Sequence, residues 1–168
     1  MINRSICIFP EFDNVEEIEE LREKYDPLHS CISPHITLVH PFTSSLQKRE
    51  LINHIQDCLI GFKPFEIRCQ NVTGADGHYL FLNVKKGNDH IIELRDRLYQ
   101  GILKRHHARE LSYIPHVTVG KLNGEETFQK ALHDTEEFNT EFSSVVHKIS
   151  VEQIGEDGTS MIEYDHYF

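Results

Sequence analysis

The chain has 168 residues, an ordinary domain's length, and 50 of them are Leu, Ile, Val or Phe, which excludes a disordered chain. Against 17 Lys and Arg stand 27 Asp and Glu, a net charge of −10 with twelve histidines held neutral. That field repels a long polyanion, because affinity for a phosphate backbone grows with the number of cations presented to it. It disfavours a protein that coats long nucleic acid and leaves open a small phosphorylated ligand held by a few local groups.

The four cysteines (Cys7, Cys31, Cys58 and Cys69) include no C-x-x-C pair, so neither a zinc knuckle nor a redox dithiol is expected. Residues 1–10 lack the charged and then apolar pattern of a secretory leader, and no window approaches a membrane span. A cytoplasmic setting with no membrane partner is the expectation.

Along the chain, Ile2, Ile6 and Ile8 predict a first strand ending at Pro10. Asn14 with Glu17 reads as a capping pair for a helix striped by Val15, Ile18, Leu21 and Tyr25. A second strand is expected over 35–40. Ser44 with Gln47 then opens a helix whose inner face is Leu51, Ile55, Cys58 and Leu59, stopped by Gly61. Strands over 65–72 and 79–84 flank Asp76-Gly77, a strong hairpin turn. Asn88 or Asp89 caps the longest helix, with Ile91, Leu94, Leu98 and Ile102 on one side. A strand over 116–122, a weaker helix over 125–133 and a hairpin of 145–154 with 161–168 complete the chain. This order mixes crossovers with hairpins in one unit of 1–168. It predicts an α+β fold with antiparallel or mixed sheets and helices on their outer faces.

A short internal echo carries the functional reading. Pro34-His35-Ile36-Thr37-Leu38 and Pro115-His116-Val117-Thr118-Val119 share the pattern Pro-His-apolar-Thr-apolar, 81 positions apart. A single His-x-Thr triplet is weak evidence in a chain so rich in histidine; two in matched contexts are not chance. In a strand, His35 and Thr37 project to one side while Ile36 and Leu38 enter a core, and the second copy repeats this. If the two strands lie together, a neutral imidazole can accept a proton from a nucleophile. The other, protonated, can donate to a leaving oxygen. The two hydroxyls can hold the non-bridging oxygens of a phosphoryl group, and no metal or other cofactor is required.

The paired motifs resemble the His-x-Thr-x signature of the two-histidine (2H) phosphoesterase superfamily, which includes 2′-5′ RNA ligase-like proteins and 2′,3′-cyclic nucleotide phosphodiesterases. The motif spacing and element order are similar over essentially the whole chain, and the stretch Arg22 to Phe42 is most similar to small bacterial phosphoesterases. The resemblance implies a bilobal fold of two pseudo-symmetric halves around a central cleft. It implies His35 and His116 as acid and base, Thr37 and Thr118 as phosphate holders, and no metal. The expected partner is a small phosphorylated substrate, a nucleotide or an RNA terminus. The activity implied is hydrolysis, or reversible ligation, at a 2′,3′-cyclic phosphate or a 2′-5′ linkage. A cleft that binds such an end without turnover is the alternative; a metal-dependent hydrolase is weaker, since H-x-x-x-H spacing is absent.

The only basic cluster, Lys104 to Arg109, offers Arg105 and Arg109 as a positive lip for a phosphate, although cations after a helix are stabilising in themselves. Lys121 is a further candidate, but strict alternation sets it opposite Thr118, and sets His40 opposite His35. Tyr113 and Phe42 are candidates to flank a base by stacking.

Overall fold

The computed structural model describes residues 1–168. The chain runs β1 (Ile2–Ile8), α1 (Glu16–Tyr25), β2 (Ile36–Ser44), α2 (Lys48–Cys58), β3 (Phe65–Ala75), β4 (Tyr79–Lys86) and α3 (Asn88–Leu98). A 3₁₀ turn (Gly101–His106) follows, then β5 (His116–Lys121), α4 (Glu125–Thr135), β6 (Phe142–Val146), β7 (Lys148–Ile154) and β8 (Ser160–Tyr167). The strands form two sheets of four, in the orders β2-β1-β7-β8 and β5-β4-β3-β6, and every pairing is antiparallel. The α+β, two-sheet expectation is met, with antiparallel rather than mixed sheets.

Each half repeats one unit: a central strand, a helix, and an edge strand bearing a motif. The helices are exchanged. α1 joins β1 to β2 in the first sheet yet packs on β5 of the second, and α3 joins β4 to β5 yet packs on β2. The edge strands β2 and β5 are thereby drawn against one another. A single cluster of 31 buried apolar side chains runs through both halves, so they share one core.

Both edge strands carry a β-bulge directly after the motif. In β2 the register passes from Cys7↔Thr37 to Ile6↔Val39, so Leu38 and Val39 together face Ile6. In β5 it passes from Phe81↔Thr118 to Leu80↔Gly120, so Val119 and Gly120 face Leu80. An extra residue reverses the alternation beyond it. His40 therefore returns to the face of Thr37, and Lys121, paired with Tyr79, returns to the face of Thr118. Strict alternation misplaced both residues because it assumed unbroken strands.

Other boundaries shift for local reasons. Asn14 does not cap α1; its side chain donates to the Glu141 carbonyl, 3.3 Å away. The capping box of α2 is Gln47 with Glu50, three residues beyond the expected pair. Gly87, left-handed at φ 92°, precedes α3, which has 11 residues, the same number as α2 and α4. Ile102 falls in the 3₁₀ turn and is exposed rather than on the inner stripe. The expected strand over 145–154 breaks at His147, with β6 joining the second sheet and β7 the first. The Asp76-Gly77 turn forms as expected, both residues having positive φ.

Gly120 shows how close the exchanged packing is. A Cβ there would stand 3.0 Å from the Tyr25 Cβ of α1 and 3.0 Å from the Leu80 side chain. Gly120→Val is expected to cost about 1–3 kcal/mol through overpacking. Thermal unfolding checks this, with one transition at lower Tm and both sheets lost together.

Candidate active site

The two motifs share one burial pattern. Pro34, Ile36 and Leu38 are buried while His35 and Thr37 are half-buried, and Pro115, Val117, Val119, His116 and Thr118 repeat this position by position. The imidazoles are held alike. His35 Nδ1 donates to the Ser33 carbonyl at 2.9 Å and His116 Nδ1 to the Ile114 carbonyl at 2.6 Å. In each case the carbonyl two residues back fixes the tautomer and leaves Nε2 free for chemistry. Phe81, paired with Thr118, stacks on His116 with ring centroids 3.5 Å apart, and Phe9 stands 5.8 Å from His35.

Burial pushes both imidazoles below the ordinary histidine value, since the charged ring loses hydration. Their surroundings then differ. At His35 the Ser33 bond and the charges of Glu152 and Asp26 pull upward, and Arg22 pulls downward. At His116 the Ile114 bond pulls upward, while the charges of His35 and His40 push downward. Each imidazole lies within the field of the cleft, because His35 itself disfavours the charge on His116.

Glu152 was not legible as a site residue. It is 3% exposed, accepts hydrogen bonds from the hydroxyls of Ser5 and Ser160, and lies 3.8 Å from Cys7 Sγ. Pairings Cys7↔Thr37 and Ser5↔Glu152 put this carboxylate on the Thr37 face of the first sheet. Beside His35, a recess of about 360 Å³ is lined by Phe9, Ser33, Lys148, Ser150, Ser160 and Asp165 among others. Asp165 there accepts from Ser150 Oγ at 2.6 Å and from Lys148 Nζ at 3.0 Å.

The remaining candidates fall in different places. Tyr113 donates its hydroxyl to the Thr37 carbonyl at 2.8 Å, so it ties the approach to β5 onto β2 and its ring is covered by the Arg95 guanidinium. Phe42 is 5% exposed and packs in the core against His106, which removes it from base stacking. Arg105 is exposed beside Leu46 and donates to His106 Nε2 at 3.3 Å, and Arg109 is exposed beyond the 3₁₀ turn. Lys121 is exposed, with Nζ 5.8 Å above the Tyr79 ring. No group of three or more His, Cys, Asp or Glu side chains is arranged to hold a metal ion. No helix is long and apolar enough to cross a membrane.

Two antiparallel sheets meet through edge strands that carry the two His-x-Thr segments, His35 just before β2 and His116 opening β5, and the fold is that of a two-histidine phosphoesterase. The chain belongs to the 2′-5′ RNA ligase superfamily, whose profile matches residues 10–158. A Bacillus mycoides protein named "Putative phosphoesterase" is 29% identical over 119 residues, 69% of this chain and 67% of its own. A Halalkalibacterium halodurans protein of the same description is 27% identical over 125 residues, 71% and 70% of the two chains. Among solved structures, E. coli LigT complexed with 3′-AMP superposes with a TM-score of 0.67 at 14% identity, covering 99% of this chain and 98% of that one. A crystal structure described as a phosphoesterase gives 0.64 at 14% identity, covering 100% and 99%.

The paired Nδ1 bonds and the burial of both rings lead to one expectation. In an NMR titration of the ring protons, His35 and His116 titrate below about 6.5, the ordinary histidine value.

Proposed function

We propose that the protein is a metal-independent phosphoesterase acting on a 2′,3′-cyclic phosphate or a 2′-5′ phosphodiester at a nucleotide or RNA end. The observation that carries this reading is the matched presentation of His35 and His116, each with Nδ1 bound to the carbonyl two residues back and Nε2 free. His116, whose charged form is disfavoured by burial and by its neighbours His35 and His40, is the base. His35, supported by Glu152, is the acid.

In the hydrolytic direction, His116 Nε2 takes a proton from water as the water oxygen bonds to phosphorus. One ring P–O bond breaks, and the departing ribose oxygen receives the proton of His35 Nε2. The products are a phosphate monoester and a free hydroxyl. With a terminal hydroxyl in place of water the same two transfers make a phosphodiester, and the reverse cleaves it. Thr37 and Thr118 hold the non-bridging oxygens, where charge rises in the transition state. The recess beside His35 has the size of a small-ligand site, and its Ser, Lys and Asp groups suit a nucleoside's sugar and base. LigT's description as a complex with 3′-AMP supports a nucleotide ligand for this fold. The reading places the protein in the cytoplasm, where RNA ends arise.

The test is turnover of 2′,3′-cyclic nucleotides in excess chelator. His35→Ala and His116→Ala are each expected to lower kcat by roughly 10²–10⁴-fold. Binding without turnover by the wild type would leave a nucleotide-binding module, and a requirement for added metal would overturn the mechanism.

The pH dependence of kcat/KM should be bell-shaped, with its acid limb from His116 and its alkaline limb from His35. Because both groups lie below the ordinary value, the maximum is expected below about pH 6.5. Glu152→Gln removes the negative charge that favours protonated His35, so the alkaline limb moves to lower pH while the acid limb stays. A Glu152→Gln profile that coincides with the wild type would remove Glu152 from the acid's support.

A further inference from the structure

The helices that precede the two motifs also repeat. Ile18-Glu19-Glu20-Leu21-Arg22 in α1 and Ile91-Ile92-Glu93-Leu94-Arg95 in α3 each end in a buried arginine, Arg22 at 1% and Arg95 at 5% exposure. Arg22 is fully engaged. Its guanidinium donates to Asp26 at 3.0 Å, Glu19 at 3.2 Å and the carbonyls of Leu28 and Ile32 at 3.4 and 2.7 Å. At Arg95 the positions matching Glu19 and Asp26 are Ile92, which has no acceptor, and Tyr99, whose hydroxyl accepts from the His40 amide instead. Arg95 Nε is buried with no protein acceptor, and the one carboxylate near the guanidinium is exposed Asp96, 3.8 Å from Nη1. A buried guanidinium nitrogen left without an acceptor is costly, so such a group is expected to serve a ligand.

Its surroundings are built and face the motif strand. The guanidinium lies 4.4 Å from the Tyr113 ring and 5.0 Å from the Tyr99 ring. Tyr113 donates to the Thr37 carbonyl and Tyr99 accepts from the His40 amide at 3.0 Å, so both hydroxyls clamp β2 on either side of its bulge. His107 stacks on Tyr99, with centroids 4.4 Å apart, and the Arg95 charge reaches both His40 and His107. The bulge puts His40 on the Thr37 face, about 7 Å along the strand from Thr37 once the extra residue is discounted. That separation is too long for adjoining phosphates of an anhydride and suits two phosphates separated by a ribose.

The geometry points to Arg95, with His40, as the holder of a second phosphate one sugar away from the phosphate that reacts. The substrate class is then an RNA end or a nucleotide carrying two phosphates, not a lone cyclic mononucleotide. This rests on the phosphoesterase reading for the position of the reacting phosphate. Arginine is suited to the role because its planar fork binds phosphate oxygens in pairs and the flanking rings hold the plane in place.

Calorimetry of the full chain with adenosine 3′,5′-bisphosphate and with adenosine 3′-monophosphate tests this, since neither has a ring to open. The wild type is expected to bind the bisphosphate at least tenfold more tightly. Arg95→Met, which keeps the side chain's length without its charge, should bind the two alike. Ile92 is 37% exposed on α3, so Ile92→Glu is expected to fold. It supplies the carboxylate that Arg22 enjoys and should also erase the preference while Arg95 remains. Equal affinity of the wild type for both ligands, or affinity for neither, overturns the proposal, as does a preference that survives in either folded variant. A chain that prefers the bisphosphate but turns over no cyclic phosphate loses the activity and keeps this site. Turnover without the preference does the opposite.

Discussion

The exchange of helices between the two sheets is the constraint on which the rest depends. Because α1 packs on β5 and α3 on β2, neither edge strand can be covered by its own half. An uncovered edge strand is a liability, with a row of unpaired backbone groups. Here the opposite half packs over the edges, and the Tyr99 and Tyr113 hydroxyls bond the His40 amide and the Thr37 carbonyl of β2. Burying those edges and bringing the two His-x-Thr segments together are one event. The two imidazoles are thereby set over the shared core, each oriented by a bond to the carbonyl two residues back.

That placement also explains the unequal histidines. The motifs are near copies, and so are the bonds that orient them, yet the field around each is set by the sheet it faces. The first sheet brings Ser5, Glu152 and Ser160 to the side of His35 through β1, β7 and β8. The second sheet offers Phe81 to His116, an aromatic face without charge. Duplication supplies two similar groups, and the unequal flanking strands surround them with different neighbours.

Much of this was legible in the sequence where local chemistry decides. The Asp76-Gly77 hairpin, the apolar faces of α2 and α3, and the two motif strands follow from turn chemistry and periodicity. Three things did not. The bulges after Leu38 and Val119 leave no mark on composition, and each reverses the face of everything beyond it, which hid the position of His40 and Lys121. The break at His147 was invisible because strand propensity is continuous through it, and only the partner sheet changes. Glu152 and Phe81 are ordinary strand residues until pairing places them beside an imidazole. Tyr113 and Phe42, candidates to flank a base by stacking, are instead absorbed by the exchanged packing.

The switch of sheets at His147 orders events on the ribosome. The second sheet is drawn from the continuous segment 65–146, so its strands and the His116 motif can assemble as the chain emerges. The first sheet is closed by β7 and β8, which follow all of the second sheet's strands in the chain. The contact of Ser5 with Glu152 spans 147 residues, and β1 waits for nearly the whole nascent chain before its inner edge is paired. Long-range pairing of this kind is slow and leaves an apolar strand exposed meanwhile. The half bearing His35 is closed only once β7 and β8 have joined β1, so a chain lacking those two strands leaves that sheet open on one side of β1.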